Sequence, residues 1–156
     1  MFIIEIKGDQ KDMPAVNKKP VTQLFTLVKT DEAYGNEQAE TDPTTCVIRQ
    51  ASNGDNEKRS QMWDIVNHKF SLEDGNMVMQ TIDYGKLRRL EVFLTLADCN
   101  FLANDGKPMF RFKDGRLDMT QDEFDRAWGS VTDKTFCDEV HEKVIEVNTT
   151  WNTTGN

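Results

Sequence analysis

Short apolar runs separated by polar turns dominate the first half of the chain. Most of these runs alternate apolar and polar side chains with the period of two that a half-buried strand requires. Four runs are predicted to be strands, at residues 2–6, 21–28, 45–51 and 77–82. An Asn-Gly pair within residues 52–56 predicts a turn, and a helix over residues 57–66 is predicted to follow it.

The apolar spacing lengthens from two to between three and four in the second half of the chain. Residues 84–97 show this spacing and predict an amphipathic helix with a broad apolar face. A capping box formed by Thr120 and Glu123 predicts the start of a second helix, and a third helix is predicted over residues 134–147. Strands before residue 83 and helices after it indicate an α+β fold, with N-terminal antiparallel strands and a mainly helical C-terminal half.

The chain is expected to form one compact domain with two parts of different composition. Its 156 residues and 37% hydrophobic content permit one modest core but not two. Residues 1–82 are the strand-rich part, residues 83–151 the helical part and residues 152–156 a polar tail. Within the first part, residues 30–44 are acidic and almost without large aliphatic side chains, so they are predicted to be a mobile linker.

The charge balance argues against nucleic acids and membranes as partners. Asp and Glu outnumber Lys and Arg by 27 to 19, which gives a formal net charge of −8. Binding to a phosphate backbone or to an anionic lipid surface needs clustered Lys and Arg. No apolar run approaches the roughly 18 residues that span a bilayer. The first residues also lack the features of a signal peptide, so no secretion is expected.

The cysteines indicate a reducing compartment. Cys46, Cys99 and Cys137 are far apart in the sequence and odd in number. A disulfide framework in a small secreted domain would show an even and denser set. We therefore expect the protein to work in a cytoplasm.

Candidate catalytic chemistry is restricted to one pair of residues. Cys137 and His141 lie four positions apart on the predicted last helix and would share a face. With Cys99 they could also hold a metal, but no CxxC or HExxH spacing accompanies them, and an isolated Cys is usually a buried apolar residue. The Asp-Gly pairs at Asp105 and Asp114 lack the frame of a calcium loop. We expect no enzymatic activity, no metal and no cofactor.

Large apolar side chains on the last two predicted helices and just after them are the candidate partner-binding residues. Short helices are held in place by packing, so these side chains either complete the protein's own core or remain as anchors for another protein. Both alternatives stay open, and so does self-association. The candidates are Phe124, Trp128, Phe136, Val140, Val144 and Trp151.

Several short segments follow one another in an order that is seen in a known family. The amphipathic helix that opens with DYG at residues 83–85 is followed by NDGKPMF at residues 104–110. FDRAWG at residues 124–129 and VNTTW at residues 147–151 come next, and IRQASNGDNEKR at residues 48–59 precedes them all. This order resembles the tail assembly chaperones, or small minor tail proteins, of long-tailed bacteriophages and prophages.

The resemblance implies a non-enzymatic protein that binds tail components during tail growth in the cytoplasm of the host bacterium. The implied partners are the tape measure protein and tail tube subunits, and no catalytic residue is implied. The resemblance covers about the last two-thirds of the chain and leaves out residues 1–43. Two other functions stay open: a structural component of the virion at the head-tail joint or the tail tube, and a small phage inhibitor of a host protein.

Overall fold

The protein has an α+β fold, as predicted, with an antiparallel sheet built early in the chain and a mainly helical second half. The computed structural model describes residues 21–67, 70–73, 76–79 and 84–152. The strands are β1 (Thr22–Thr26), β2 (Thr45–Arg49), β3 (Phe70–Glu73), β4 (Asn76–Met79), β5 (Leu96–Cys99), β6 (Phe112–Lys113) and β7 (Arg116–Leu117). The helices are α1 (Val28–Ala33), α2 (Asn53–Asn67), α3 (Tyr84–Thr95), α4 (Gln121–Gly129) and α5 (Lys134–Val147). A 3-10 turn (Thr149–Trp151) follows α5.

In the described part of the chain, three strands form the main sheet, in the order β1-β2-β5, and both pairings are antiparallel. Cys46 in the central strand lies beside Phe25 on one side and Cys99 on the other. Cys46 and Ile48 are fully buried, so one face of the sheet belongs to the core. Leu24 points to the opposite face and is 65% exposed. The sheet thus has one packed face and one open face, as is common for antiparallel sheets.

The hydrophobic core lies between the packed face of the sheet and helices α3, α4 and α5. Side chains from nearly every long element reach it, so the described residues share a single core. Its buried members are Leu27, Cys46, Ile48, Leu90, Val92, Leu94, Leu96, Phe110, Phe124, Phe136, Val140, Val144 and Trp151.

Residues 30–44, predicted to be a mobile linker, begin within a helix that is capped by a distant carboxylate. Glu139 of α5 accepts hydrogen bonds from the backbone N–H groups of Lys29 (3.1 Å) and Thr30 (2.8 Å). It also accepts one from the Thr30 hydroxyl (2.8 Å), and Thr30 is fully buried. A helix needs acceptors for its first N–H groups, and here they come from 109 residues further along the chain. Residues 30–33 are therefore helical, and the mobility predicted for residues 30–44 stays a prediction.

The turns that follow α1 are also tied to the domain. The Asp31 carboxylate accepts hydrogen bonds from the Thr44 N–H group (3.1 and 3.2 Å) and from the Asn36 side-chain amide (2.9 Å). Asp31 itself is only 6% exposed. The acidic composition of this segment thus includes a structural carboxylate that closes the loop back onto β2.

Two predicted boundaries shift because strands and helices follow one another without loops. β1 ends at Thr26, since the next residue, Leu27, turns into the core and α1 begins at once. α3 ends at Thr95 rather than at residue 97, because Leu96 and Ala97 pass into β5. Strand β5 was not predicted, and it exists because β2 offers it a pairing edge.

The turn predicted at residues 52–56 is instead the start of α2. The Asp55 N–H group donates to the Ser52 hydroxyl (3.1 Å), and the Ser52 N–H group donates to the Asp55 carboxylate (2.9 Å). This reciprocal arrangement is a capping box built on Asp in place of Glu. Asn53 and Gly54 therefore lie in the first helical turn.

The short strands β6 and β7 form a two-stranded hairpin of their own. Asp114 and Gly115 connect its strands with φ angles of 53° and 73°. Positive φ at both central residues is the geometry of the tight hairpin turn that Asp-Gly favours. The Asp-Gly pair therefore serves as a turn.

The ends of the last two helices are confirmed. The Glu123 N–H group donates to the Thr120 hydroxyl (3.1 Å), and the Thr120 N–H group donates to the Glu123 carboxylate (2.9 Å). Asp133 caps α5 by accepting from the Thr135 N–H group (2.8 Å). Predictions for residues 2–6, 80–83 and 153–156 lie outside the described residues. Among the helices that are described, none has the length and hydropathy to cross a bilayer.

Candidate functional site

Five of the six candidate partner-binding residues belong to the core. Phe124, Phe136, Val140 and Val144 are fully buried, and Trp151 is 3% exposed. The apolar faces of α4 and α5 pack against the protein's own sheet and α3, so these side chains are covered in the isolated chain, and their role in binding a partner stays a prediction.

Trp128, the sixth candidate, is half-buried at the edge of an aromatic cluster. Its ring centroid lies 5.5 Å from that of Phe124, 5.8 Å from that of Phe136 and 6.5 Å from that of Phe110. Ring pairs at such separations stabilise the core beyond their buried area. Trp128 therefore has a packing role, with part of its surface still open.

An open cleft of about 590 Å³ lies beside this cluster. We call it the apolar cleft, after the large side chains that line it: Tyr34, Phe101, Leu102, Met109 and Val131. Tyr34 is 41% exposed and Leu102 is 54% exposed. Three connections meet here: the turns after α1, the loop between β5 and β6, and the link between α4 and α5.

The lining of the apolar cleft is acidic as well as apolar. Asp42 and Asp105 contribute carboxylates, and in the part of the chain that the structure describes no Lys or Arg lines the cleft. Such a surface disfavours anions and favours a basic neighbour. The arrangement can therefore take up an apolar side chain that has positive charge near it.

Local contacts hold the walls of the apolar cleft in place. The Tyr34 hydroxyl donates to the Asp133 carbonyl (3.1 Å), and the Tyr34 ring meets the edge of Phe101 with centroids 5.3 Å apart. Burial, and then the negative charge of Asp133, raises the pKa of the Tyr34 hydroxyl. The Asn100 side chain donates to the Pro43 carbonyl (3.0 Å) and so adds a second contact between the turns after α1 and the loop between β5 and β6. The cleft is thus formed before any partner arrives.

A second cleft, of about 660 Å³, lies between α3 and α5, and we call it the polar cleft. Glu91, only 1% exposed, is at its base. One Glu91 oxygen accepts from Nε of Arg59 (2.7 Å), and the other lies 2.6 Å from Nε2 of His141. Nδ1 of His141 lies 3.3 Å from Nε of Arg88, which is always a donor. These contacts assign the ring proton to Nε2, which donates to Glu91.

The charged side chains at the base of the polar cleft are engaged in contacts with one another. Both Glu91 oxygens and both His141 nitrogens are engaged with each other or with arginines. Cys137, predicted to share a face with His141, is half-buried, and burial raises the pKa of its thiol to about 11. A thiol with so high a pKa is a poor nucleophile at neutral pH. The Cys137 thiol is therefore expected to be protonated at neutral pH, and the His141 ring is in contact with Glu91 and Arg88.

The other two thiols are also held in the protonated form at neutral pH. Cys46 and Cys99 face each other on β2 and β5. Burial raises the pKa of each thiol to about 12. Across the described ranges, no group of three or more His, Cys, Asp and Glu side chains is placed to hold a metal ion.

Sequence reasoning missed the apolar cleft because its residues come from three separate connections. Tyr34 lies in the segment predicted to be a linker, and Leu102 lies in a loop that gave no periodic signal. A usable hint was present, since large apolar residues in short polar loops often have a packing or binding role. Only the fold shows that these positions meet.

Comparisons with known proteins add no information on either cleft. Comparison of the chain with protein-family models, with curated proteins and with solved structures finds no match.

Proposed function

We propose that this protein is a non-enzymatic binding protein that holds an apolar segment of another protein in the apolar cleft. Following the resemblance of its C-terminal segments, the partner is a phage tail component, the tape measure protein or a tail tube subunit. Binding takes place during tail assembly in the bacterial cytoplasm. The observation that carries the proposal is the exposure of Leu102 (54%) and Tyr34 (41%) in one preformed cleft.

The chemistry of the apolar cleft supports a protein partner. Clusters of exposed large apolar side chains often mark protein interaction sites, whereas single exposed apolar side chains are common on any protein surface. A Tyr beside aliphatic side chains offers both apolar area and a hydroxyl, a combination that is enriched at interfaces. Because Tyr34 and its neighbours are already fixed by contacts within the domain, little ordering is needed when a partner binds.

Charge supports the same conclusion. The chain carries a net charge of −8, and the cleft itself adds Asp42 and Asp105 to the contact region. Opposite charge on a partner accelerates encounter and selects the correct surface. We therefore expect the bound segment to present an apolar side chain flanked by Lys or Arg.

The test is co-expression with the tape measure protein of the same phage, followed by capture and a solubility measurement. Leu102→Lys should reduce binding about tenfold or more, because burying one Leu side chain contributes roughly 1.5–3 kcal/mol. Val28→Lys is the matched control. Val28 is also 54% exposed but does not line the cleft, and its replacement by Lys changes the net charge by the same amount.

Two outcomes of the binding measurement would contradict the proposal. Unchanged binding by Leu102→Lys, or equal loss in both variants, would refute the cleft as the binding site. Mass spectrometry of purified phage particles then distinguishes an assembly factor from a structural component. A chaperone is absent from the finished particle, whereas a structural component is retained in it.

A further inference from the structure

Among the residues that the structure describes, β1 is an edge strand of the main sheet, with β2 on one side only. Two hydrogen bonds fix how β1 meets β2: the Gln50 N–H group donates to the Val21 carbonyl, and the Leu27 N–H group donates to the Thr44 carbonyl, both at 2.8 Å. In an antiparallel strand, the backbone groups of successive residues point alternately to the two sides. Odd-numbered residues of β1 therefore bond to β2. Within the described residues, no strand pairs with the other side of β1.

The even-numbered residues of β1 point their backbone groups at this open edge. They are Thr22, Leu24 and Thr26, and all three side chains are exposed. Leu24 stands at the centre of the set and is 65% exposed. Each residue offers one N–H donor and one C=O acceptor, so the edge carries a regular row of hydrogen-bonding groups that no described strand uses.

Charge does not protect this edge. Residues 21–28 read VTQLFTLV and contain no Lys, Arg, Asp, Glu or Pro. Natural sheets usually block an exposed edge with charged side chains, Pro, a bulge or a covering element, because an open edge is a template for another strand. An uncharged edge on a chain with a net charge of −8 is a place where two copies can approach without strong repulsion.

We propose that β1 pairs with β1 of a second copy of this chain, antiparallel and about a two-fold axis through Leu24. The outward-facing residues are symmetric about Leu24, so Thr22 of each copy meets Thr26 of the other and Leu24 meets Leu24. This register uses every outward backbone group of β1 and forms about six hydrogen bonds. The two sheets become one six-stranded sheet.

Side chains fit the same register. The two Leu24 side chains lie on the same open face of the joined sheet and cover each other. The Thr–Thr pairs on either side are among the favourable cross-strand pairs. A partner with a different sequence could pair with the backbone, but the symmetric placement of Leu24 between two threonines matches this strand to itself.

The contact is small, which sets its strength. One five-residue strand pair buries much less than the roughly 1,600 Å² of a standard stable interface. We therefore expect a dissociation constant in the micromolar range or weaker, and an equilibrium that shifts with concentration.

Sedimentation velocity of the full chain, from micromolar to about millimolar concentration, tests the proposal. The wild type should move from the monomer mass to twice that mass as its concentration rises. Leu24→Pro should stay monomeric, because it removes an N–H group that points to the open edge. Pro is tolerated on edge strands, so the β1–β2 pairing is kept. Leu24→Lys should also stay monomeric, since it places two charges at the two-fold axis.

Leu102→Lys is the matched control, because it also replaces an exposed Leu with Lys but is not part of β1. It should associate as the wild type does. Since this variant is expected to lose the tail partner, failure of the dimer and failure of the proposed function are distinguishable. A wild type that remains monomeric throughout, or Leu24 variants that associate normally, would overturn the proposal.

A cross-link gives the register directly. Leu24→Cys should form a disulfide between copies under mild oxidation, since directly opposed residues lie about 5.5 Å apart at the Cα atoms, within the range that a disulfide spans. Thr41→Cys, on an exposed turn away from β1, is the control. Equal cross-linking of both variants would contradict the register.

Discussion

Replacing Glu139 should destabilise the whole domain, because its carboxylate is the cap of α1. Glu139→Ala removes the acceptor for the Thr30 N–H and hydroxyl groups and for the Lys29 N–H group. Thr30 is fully buried, so water cannot replace the lost acceptor there, whereas Lys29 is near the surface. Loss of a side-chain cap costs about 0.5–2 kcal/mol, and a buried donor without a partner about 1–3 kcal/mol. We expect a loss of about 2–4 kcal/mol in the free energy of unfolding.

Glu139→Gln should have a smaller effect and so identify the mechanism. Its carbonyl oxygen can still accept from Thr30, but its amide group then faces the Lys29 N–H group, and two donors meet. We expect the free energy of unfolding to fall by about 1–2 kcal/mol, which corresponds to this one unfavourable contact. If the free energy of unfolding is lowest for Glu139→Ala, higher for Glu139→Gln and highest for the wild type, the acceptor oxygens matter more than side-chain volume.

Urea unfolding followed by circular dichroism measures these differences, and hydrogen exchange locates them. The Thr30 amide should exchange faster in Glu139→Ala than in the wild type. Glu142→Ala is the control, since Glu142 lies on the same helix and also binds Lys29, but at the surface with a 3.0 Å ion pair. Such a pair contributes about 0–1 kcal/mol. If Glu139→Ala and Glu142→Ala are equally stable, the capping argument is refuted.

Two further predictions concern titrating groups. Burial opposes ionisation of Asp55, but a backbone N–H group and the Arg49 guanidinium at 2.9 Å outweigh it and lower the pKa of this carboxyl. The folded pKa is thus below the unfolded value of about 3.9, so its stabilising effect is present above that pH and is lost as pH falls through the folded pKa. Urea unfolding from pH 6 to pH 2 should show this loss, and Asp55→Asn should flatten that part of the profile. Burial raises the pKa of Cys46 and Cys99 to about 12 and that of Cys137 to about 11. A thiol reagent at pH 8 should therefore label the native protein far more slowly than the urea-unfolded protein. Equal labelling rates would contradict the burial of these thiols.

Local signals were enough to predict the later helices. Thr120 and Glu123 form their capping box from residues three positions apart, and the Asp133 cap needs only the next turn of chain. The apolar spacing over residues 134–147 gave the buried face of α5 as well. Such elements can be predicted from a sequence because the interactions that define their ends lie within a few residues.

The elements that were missed depend on distant partners. α1 has a poor local sequence for a helix and forms because Glu139 caps it from α5. Leu96 and Ala97 continue the helical spacing of α3, yet they enter β5 because the edge of β2 is beside them. Tertiary pairing outweighs propensity in both places, and no window of the sequence contains both partners.

The candidate site shows the same division. Sequence spacing correctly placed Phe136 and Val140 on one apolar face, but it could not tell whether that face is covered. The sheet covers it, and the surface left open comes from Tyr34 and Leu102 instead. Exposure is a property of the assembled fold, so residues that bind a partner are harder to find than residues that build the core.

The long-range cap on α1 also has a consequence for how the protein is made. β1 and α1 leave the ribosome early, but the carboxylate that completes α1 is synthesised 109 residues after Thr30. Contacts over such separations form late and slow the folding reaction. Until α5 appears, the uncharged strand β1 and the apolar face of β2 are without their cover, and unpaired strands are prone to aggregate. The nascent chain is therefore most vulnerable to proteases and to neighbouring chains during synthesis, and translation of α5 ends that period.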